Sequence, residues 1–238
     1  MVTIATVVKG IQDIIANKTG KTHHASRWSE RLLYYHLNNY RVQLIWDQHV
    51  NKKVPISDYL IETIPCIPLV EVKDHECPCI IEGKTIKKTK YMIPQTINGN
   101  LEYVGDLGGN QYDYIQFENL GRPGKSIYKG RRDKNRYSLK TIAGKTYPYI
   151  LEDPHLEFVT LKLIPKDPTE LYLIPDCQGK IDKCFDPMSL EFKINGELLP
   201  IVYQMFAKDI LNIALNIQTD IDLDFQDTGN SQQRLSKK

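Results

Sequence analysis

The sequence predicts an α+β protein: an N-terminal helical region, an antiparallel β-sandwich or barrel-like body, then a C-terminal helix and an extended tail. Three observations carry this. Apolar residues recur at three and four residue spacing before Pro65 and again after Pro200. Between them, prolines and glycines punctuate short runs rich in Ile, Val, Tyr and Thr. The last stretch loses helical periodicity and ends polar. The corresponding organisation is a helical region over 1–64, a β-rich body over 65–199, a helix over 200–216 and a tail over 217–238.

The first helix follows from Ile4, Val7, Val8, Ile11, Ile14 and Ile15, which fall on one face. A polar break at Asn17–Thr22 contains Gly20. Ser26 stands where an N-cap belongs, with Ser29 and Glu30 in the first turn. From Trp28 the apolar set includes Leu32, Leu33, Tyr35, Leu37, Tyr40, Leu44, Ile45 and Trp46. That set is wider than the surface helix of a monomer needs and predicts contact with more than one neighbour.

The body is predicted to hold strands at Ile67–Val72, Cys79–Glu82, Tyr112–Phe117, Tyr137–Ile142, Thr146–Ile150, Phe158–Leu163 and Leu171–Ile174. Asn98-Gly99, Gly108-Gly109-Asn110 and Asn195-Gly196 read as turns. After Pro200, Ile201, Tyr203, Phe206, Ile210 and Leu211 restore a helical face. In the tail, Ile221, Leu223 and Phe225 alternate with Asp220, Asp222 and Asp224. Such a segment can add a strand to a neighbour, or it can be a frayed terminus.

A chain of 238 residues with 41% hydrophobic content can bury a core without metal or disulfides. Its net charge of +2 does not by itself mark a nucleic-acid binder. Tyrosine is abundant, 14 against 6 Phe and 2 Trp. It suits positions that are half buried and half wet, as on sheets and at subunit contacts. An AT-rich genome gives the same bias. The five cysteines, Cys66, Cys77, Cys79, Cys177 and Cys184, and an N-terminus without a signal-peptide pattern predict reduced thiols in a cytoplasm. No run is long and apolar enough to span a membrane.

The candidate chemistry is thin. Gly121-Arg122-Pro123-Gly124-Lys125-Ser126 imitates a phosphate-binding loop, but Asn119 replaces the leading glycine and no helical face follows. Asp220, Asp222 and Asp224 imitate a calcium loop, but Phe225 and Ser231 occupy its glycine and glutamate positions. Cys77-Pro78-Cys79 with Cys177 and Cys184 has the wrong spacing for zinc knuckles and reads better as small buried hydrophobes. The six histidines lack any accompanying catalytic pattern. The readings are therefore no enzyme, no cofactor and no metal. One charge feature stands out: Arg122, Lys125, Lys129, Arg131, Arg132, Lys134 and Arg136, opposed by Asp133 alone. Such a loop can meet DNA phosphates non-specifically, dock on an acidic protein surface, or be a solvated hairpin tip.

The order of features resembles a known family. Arg31 and Arg41 in the helical start lead to Ile64-Pro65-Cys66-Ile67-Pro68-Leu69. An acidic segment with Cys77 follows, then Met92-Ile93-Pro94. Later come Tyr149-Ile150-Leu151-Glu152-Asp153-Pro154, Cys184-Phe185-Asp186-Pro187-Met188 and Lys208-Asp209-Ile210-Leu211-Asn212. Over residues 1 to 216 this is similar to the virion connector proteins of crAss-like phages, podoviruses of Bacteroidetes bacteria. The resemblance implies a subunit of a head-to-tail connector ring at the portal vertex of the virion, typically of twelve copies, assembled in the host cytoplasm. It implies a channel for the genome, with the portal protein and other connector or tail rings as partners. It supplies no catalytic residues. Subunit contacts are expected at Trp28, Tyr35, Trp46, Ile221, Leu223 and Phe225. DNA or partner contacts are expected at Lys125, Lys129, Arg131, Arg132, Lys134 and Arg136. The rival readings are a non-catalytic nucleic-acid-binding protein using the basic loop 121–136, and a metal-dependent hydrolase.

Overall fold

The computed structural model describes residues 2–19, 28–72, 85–117, 136–151, 155–181 and 185–209. The chain divides into two compact units: Met1–Ile45 with Met188–Lys238, and Trp46–Pro187.

In the first unit, α1 (Ile4–Thr19) and α2 (Glu30–Trp46) share a core with the returning chain. Thr3 caps α1, its Oγ1 accepting from the Thr6 amide at 3.3 Å. Ser29, not Ser26, caps α2, accepting from the Leu32 amide at 3.3 Å. Ser26 lies outside the described residues. Ile4, Val7, Val8, Ile11 and Ile15 are buried against Leu33 and Leu37 of α2. Phe192, Ile194 and Leu198 complete that core with Val202 and Phe206 of α3, which is helical over 199–209. The chain ahead of α1 pairs with the returning segment: the Ile4 amide donates to the Leu190 carbonyl and the Phe192 amide to the Val2 carbonyl, both at 2.8 Å. Burial of this apolar stripe, not intrinsic propensity, fixes α1, because a 16-residue helix rich in Ile, Val and Thr is weak alone.

The second unit is a seven-stranded sheet curled into a nearly closed barrel, so the body is barrel-like, as the sequence predicts. Its strands are β1 (Glu62–Glu71), β2 (Ile86–Thr89), β3 (Tyr103–Gly105), β4 (Asp113–Tyr114), β5 (Arg136–Ile142), β6 (Lys145–Leu151) and β7 (Phe158–Leu163), in the order β3-β7-β1-β2-β6-β5-β4. Every described pairing is antiparallel except β4 with β5. Beyond β3, the Tyr112 amide donates to the Val104 carbonyl at 2.8 Å, and Gly105 bridges Gln111, which draws the two sheet edges together. Closure of this kind removes exposed edges. Gly105 makes it possible: a Cβ there would stand 2.7 Å from the Asn110 carbonyl oxygen. The β5–β6 hairpin turns on Ala143 and Gly144, at φ 50° and 78°, as a two-residue primed turn requires. The barrel interior holds Ile64, Ile67, Val104, Tyr137, Ile150, Val159, Leu161 and Leu163.

The predicted strand Tyr112–Phe117 is reduced to Asp113–Tyr114, and two further predicted elements differ. β1 begins before Pro65, which lies inside a register shift between Ile64 and Ile67, where a missing amide costs no ladder bond; Pro68 resumes the pairing opposite Phe158. The predicted strand Leu171–Ile174 is instead the end of a 3-10 helix, Pro168–Leu173. Asp167 caps it, accepting from the Thr169 amide at 2.9 Å, and Pro168 fits the first helical position. β2 and β3 are too short to show alternation. The predicted strand Cys79–Glu82 lies outside the described residues.

Candidate partner surfaces

The exposed helix positions come from the sequence pattern itself. α2 buries Leu33, Leu37, Asn38, Arg41 and Ile45, and Tyr35 and Trp46 fall outside that set. Tyr35 is 61% exposed and Trp46 43%. Trp28 is half-buried against the core of the first unit and stands edge-on to His36, with ring centroids 6.3 Å apart. Tyr35 also meets His36 edge-on, at 5.6 Å. Of the three residues of the N-terminal region expected at subunit contacts, two are exposed aromatics and the third, Trp28, packs on the core of its own unit. Ile221, Leu223 and Phe225 lie outside the described residues, as do Asp220, Asp222 and Asp224.

Arg41 is the one charged side chain among the buried described residues. Its Nε donates to the Lys193 carbonyl, and a terminal nitrogen donates to Asn38 Oδ1 at 3.4 Å, tying α2 to the returning segment. Beside it, the Tyr40 hydroxyl donates to Asp209 at 3.1 Å. Burial, then the Asp209 carboxylate, pushes the Tyr40 phenol up to about 12.

Of the basic loop, Lys125, Lys129, Arg131, Arg132 and Lys134 lie outside the described residues. Arg136 opens β5, half-buried, with Asp113 as its neighbour across the parallel pair. The sheet surface carries basic residues over aromatic rings: Lys140 lies 4.4 Å from the Phe117 centroid, Lys162 5.5 Å from Tyr103 and Lys88 5.7 Å from Tyr147. The tyrosine bias thus has a structural use, since Tyr103 and Tyr147 are half-buried on the sheet.

Two features escaped the sequence reading. The segment after β7 shows an apolar surface: Tyr172 is 41% exposed, Leu173 62% and Ile181 46%. Tyr172 stacks on Phe185 with centroids 4.1 Å apart and planes within 7°. Its predicted strand would have buried alternate residues; the 3-10 turn sends neighbours outward together. Glu170 nearby has its carboxyl raised by burial first and by Asp167 second. The second feature is a disulfide between Cys66 and Cys177, with Cα atoms 5.1 Å apart. It corrects the expectation of reduced thiols for this pair, and Cys177 is exposed rather than a small buried hydrophobe. The bulge in β1 delivers Cys66 to a turn 111 residues away, a proximity that no spacing rule reveals. Cys77, Cys79 and Cys184 lie outside the described residues. Among the described residues, no cluster of His, Cys, Asp and Glu is arranged to hold a metal ion. None of their helices is long and apolar enough to cross a membrane.

A family model described as phage tail ring protein 2 (CrAss_Ring_2) matches residues 7–228 of the chain. No curated protein matches it.

Proposed function

The chain belongs to the phage tail ring protein 2 family, and from that premise we propose that it is a non-catalytic structural subunit of the head-to-tail connector of a crAss-like phage. The observation that carries this reading is the match itself, which runs through both compact units rather than one. The proposed assembly is a ring of twelve copies around a channel for the genome, stacked between the portal protein and further tail rings. The subunits are made in the host cytoplasm and end in the virion.

A closed ring needs two different patches on each subunit, because its contacts are heterologous. The exposed aromatics Tyr35 and Trp46 and the apolar segment at Tyr172, Leu173 and Ile181 support such contacts. Aromatic residues are enriched at the centres of interfaces. The tail residues Ile221, Leu223 and Phe225 are proposed to reach a neighbouring subunit. The basic run Lys125, Lys129, Arg131, Arg132, Lys134 and Arg136 is proposed to face either the packaged DNA or the adjoining ring. Phosphate contact in a channel needs charge without sequence readout, which suits a basic loop in a chain of near-neutral net charge.

The test is the mass of the purified full chain, alone and mixed with virion components. A 27.5-kDa subunit in twelve copies gives about 330 kDa. A species of 27.5 kDa under every condition, absent from mature particles, would overturn the reading.

A further inference from the structure

Cys66 and Cys177 differ in a way that matters for reactivity. Cys66 is half-buried in the β1 bulge at φ 55°. Cys177 is exposed, in a tight turn where the Asp176 amide donates to the Lys180 carbonyl at 2.9 Å. Asp176 Oδ1 fixes that turn, accepting from the amides of Gln178 and Lys180 at 2.9 and 2.8 Å. Upstream, Pro168 is buried and Leu171 and Ile174 pack on the barrel core. The turn that follows is fastened to β1 by the disulfide. Tyr172, Leu173 and Ile181, the exposed apolar residues, flank that fastening.

We propose that Cys66 and Cys177 form an exchangeable thiol–disulfide pair. A low-molecular-weight disulfide of the glutathione type closes it, and closure fixes the apolar segment 172–181 on the barrel. The exposed Cys177 thiolate attacks one sulfur of the small disulfide. This forms a mixed disulfide and releases one small thiolate. The Cys66 thiolate then attacks the Cys177 sulfur, forming the internal bond and releasing the second small thiolate. The two cysteine protons end on the two released thiols, and the small disulfide is the oxidant. Cys177 is the entry point because access governs attack, and Cys66 is the resolving thiol because the bulge holds it within bonding reach. The proposal does not depend on ring formation, since it concerns the isolated chain.

The test uses full-length protein, reduced, desalted under argon and incubated with oxidised glutathione, then alkylated and mapped by peptide mass spectrometry. The expected product is a linked Cys66–Cys177 peptide pair. Cys66→Ser should trap glutathione on Cys177. Cys177→Ser should leave Cys66 modified at least about tenfold more slowly. Hydrogen exchange over 172–181 should be at least about tenfold faster in the reduced protein, with β5 and β6 unchanged. Three results would overturn the proposal: Cys177 bonding to Cys184 instead of Cys66, exchange over 172–181 that ignores redox state, or loss of protection across the whole sheet on reduction. The last would make the bond a staple of the fold rather than a local device.

Discussion

Arg41→Ala is the substitution that most sharply tests how the first unit is held together. Arg41 is 1% exposed and donates to the Lys193 carbonyl and to Asn38. Truncation strands the carbonyl, and a lost bond from a charged donor costs about 1.5–3 kcal/mol. The missing aliphatic stem leaves a void on the buried face of α2, adding about 1–2 kcal/mol. Relief of a desolvated charge acts in the opposite direction. The net loss expected is about 2–4 kcal/mol. Arg41→Met keeps the stem but still strands the Lys193 carbonyl, so it should cost about 1–2 kcal/mol less than Arg41→Ala. The assay is urea unfolding of full-length protein at 25 °C, followed by tryptophan fluorescence, with Trp28 packed on the same core. A change for Arg41→Ala within about 0.5 kcal/mol, as at an ordinary surface site, would refute the assigned role.

Four further outcomes are expected. Gly105→Ala should destabilise the barrel by about 1–3 kcal/mol in the same assay, because the added methyl meets the Asn110 carbonyl at the closing seam. Burial, with smaller contributions from Tyr114 and Glu102, raises the Tyr137 phenol to about 12, so the fold keeps it neutral where the unfolded chain ionises near 10.0. Its contribution to stability is therefore complete below pH 10 and is lost as pH rises towards 12; unfolding scans should show that fall, flattened in Tyr137→Phe. Leu173→Asp with Tyr35→Asp should leave the melting temperature within about 2 °C yet reduce assembly, because both side chains are exposed. Deleting residues 217–238 should weaken incorporation into particles without unfolding the chain, and normal incorporation would remove the tail from the account.

The elements that were legible in the sequence are those whose burial follows a period. The α1 face, Ile4 to Ile15, is a helical stripe, and it lies in the core it predicts. β5, β6 and β7 are long enough to announce themselves through branched and aromatic residues. What could not be read depends on distant parts of the chain. β3 exists because β7 supplies its partners, and the near-closure of the barrel hangs on a glycine approached by backbone from outside its own strand. The segment Leu171–Ile174 has strand composition, yet Asp167 and Pro168 ahead of it impose a capped 3-10 turn. Of the proposed contact residues, Tyr35 and Trp46 were visible as surplus apolar positions on a helix whose core face was already full. The Cys66–Cys177 contact was not visible, since 111 residues separate partners that only the folded sheet brings together.

The most direct measurement is electron microscopy of the tail vertex of purified virions, with the density fitted by this chain. The account predicts a cyclic ring of identical copies around an open channel, each touching its two neighbours through different faces. Density at the vertex with no copy of the chain, or a single copy outside any ring, would contradict it.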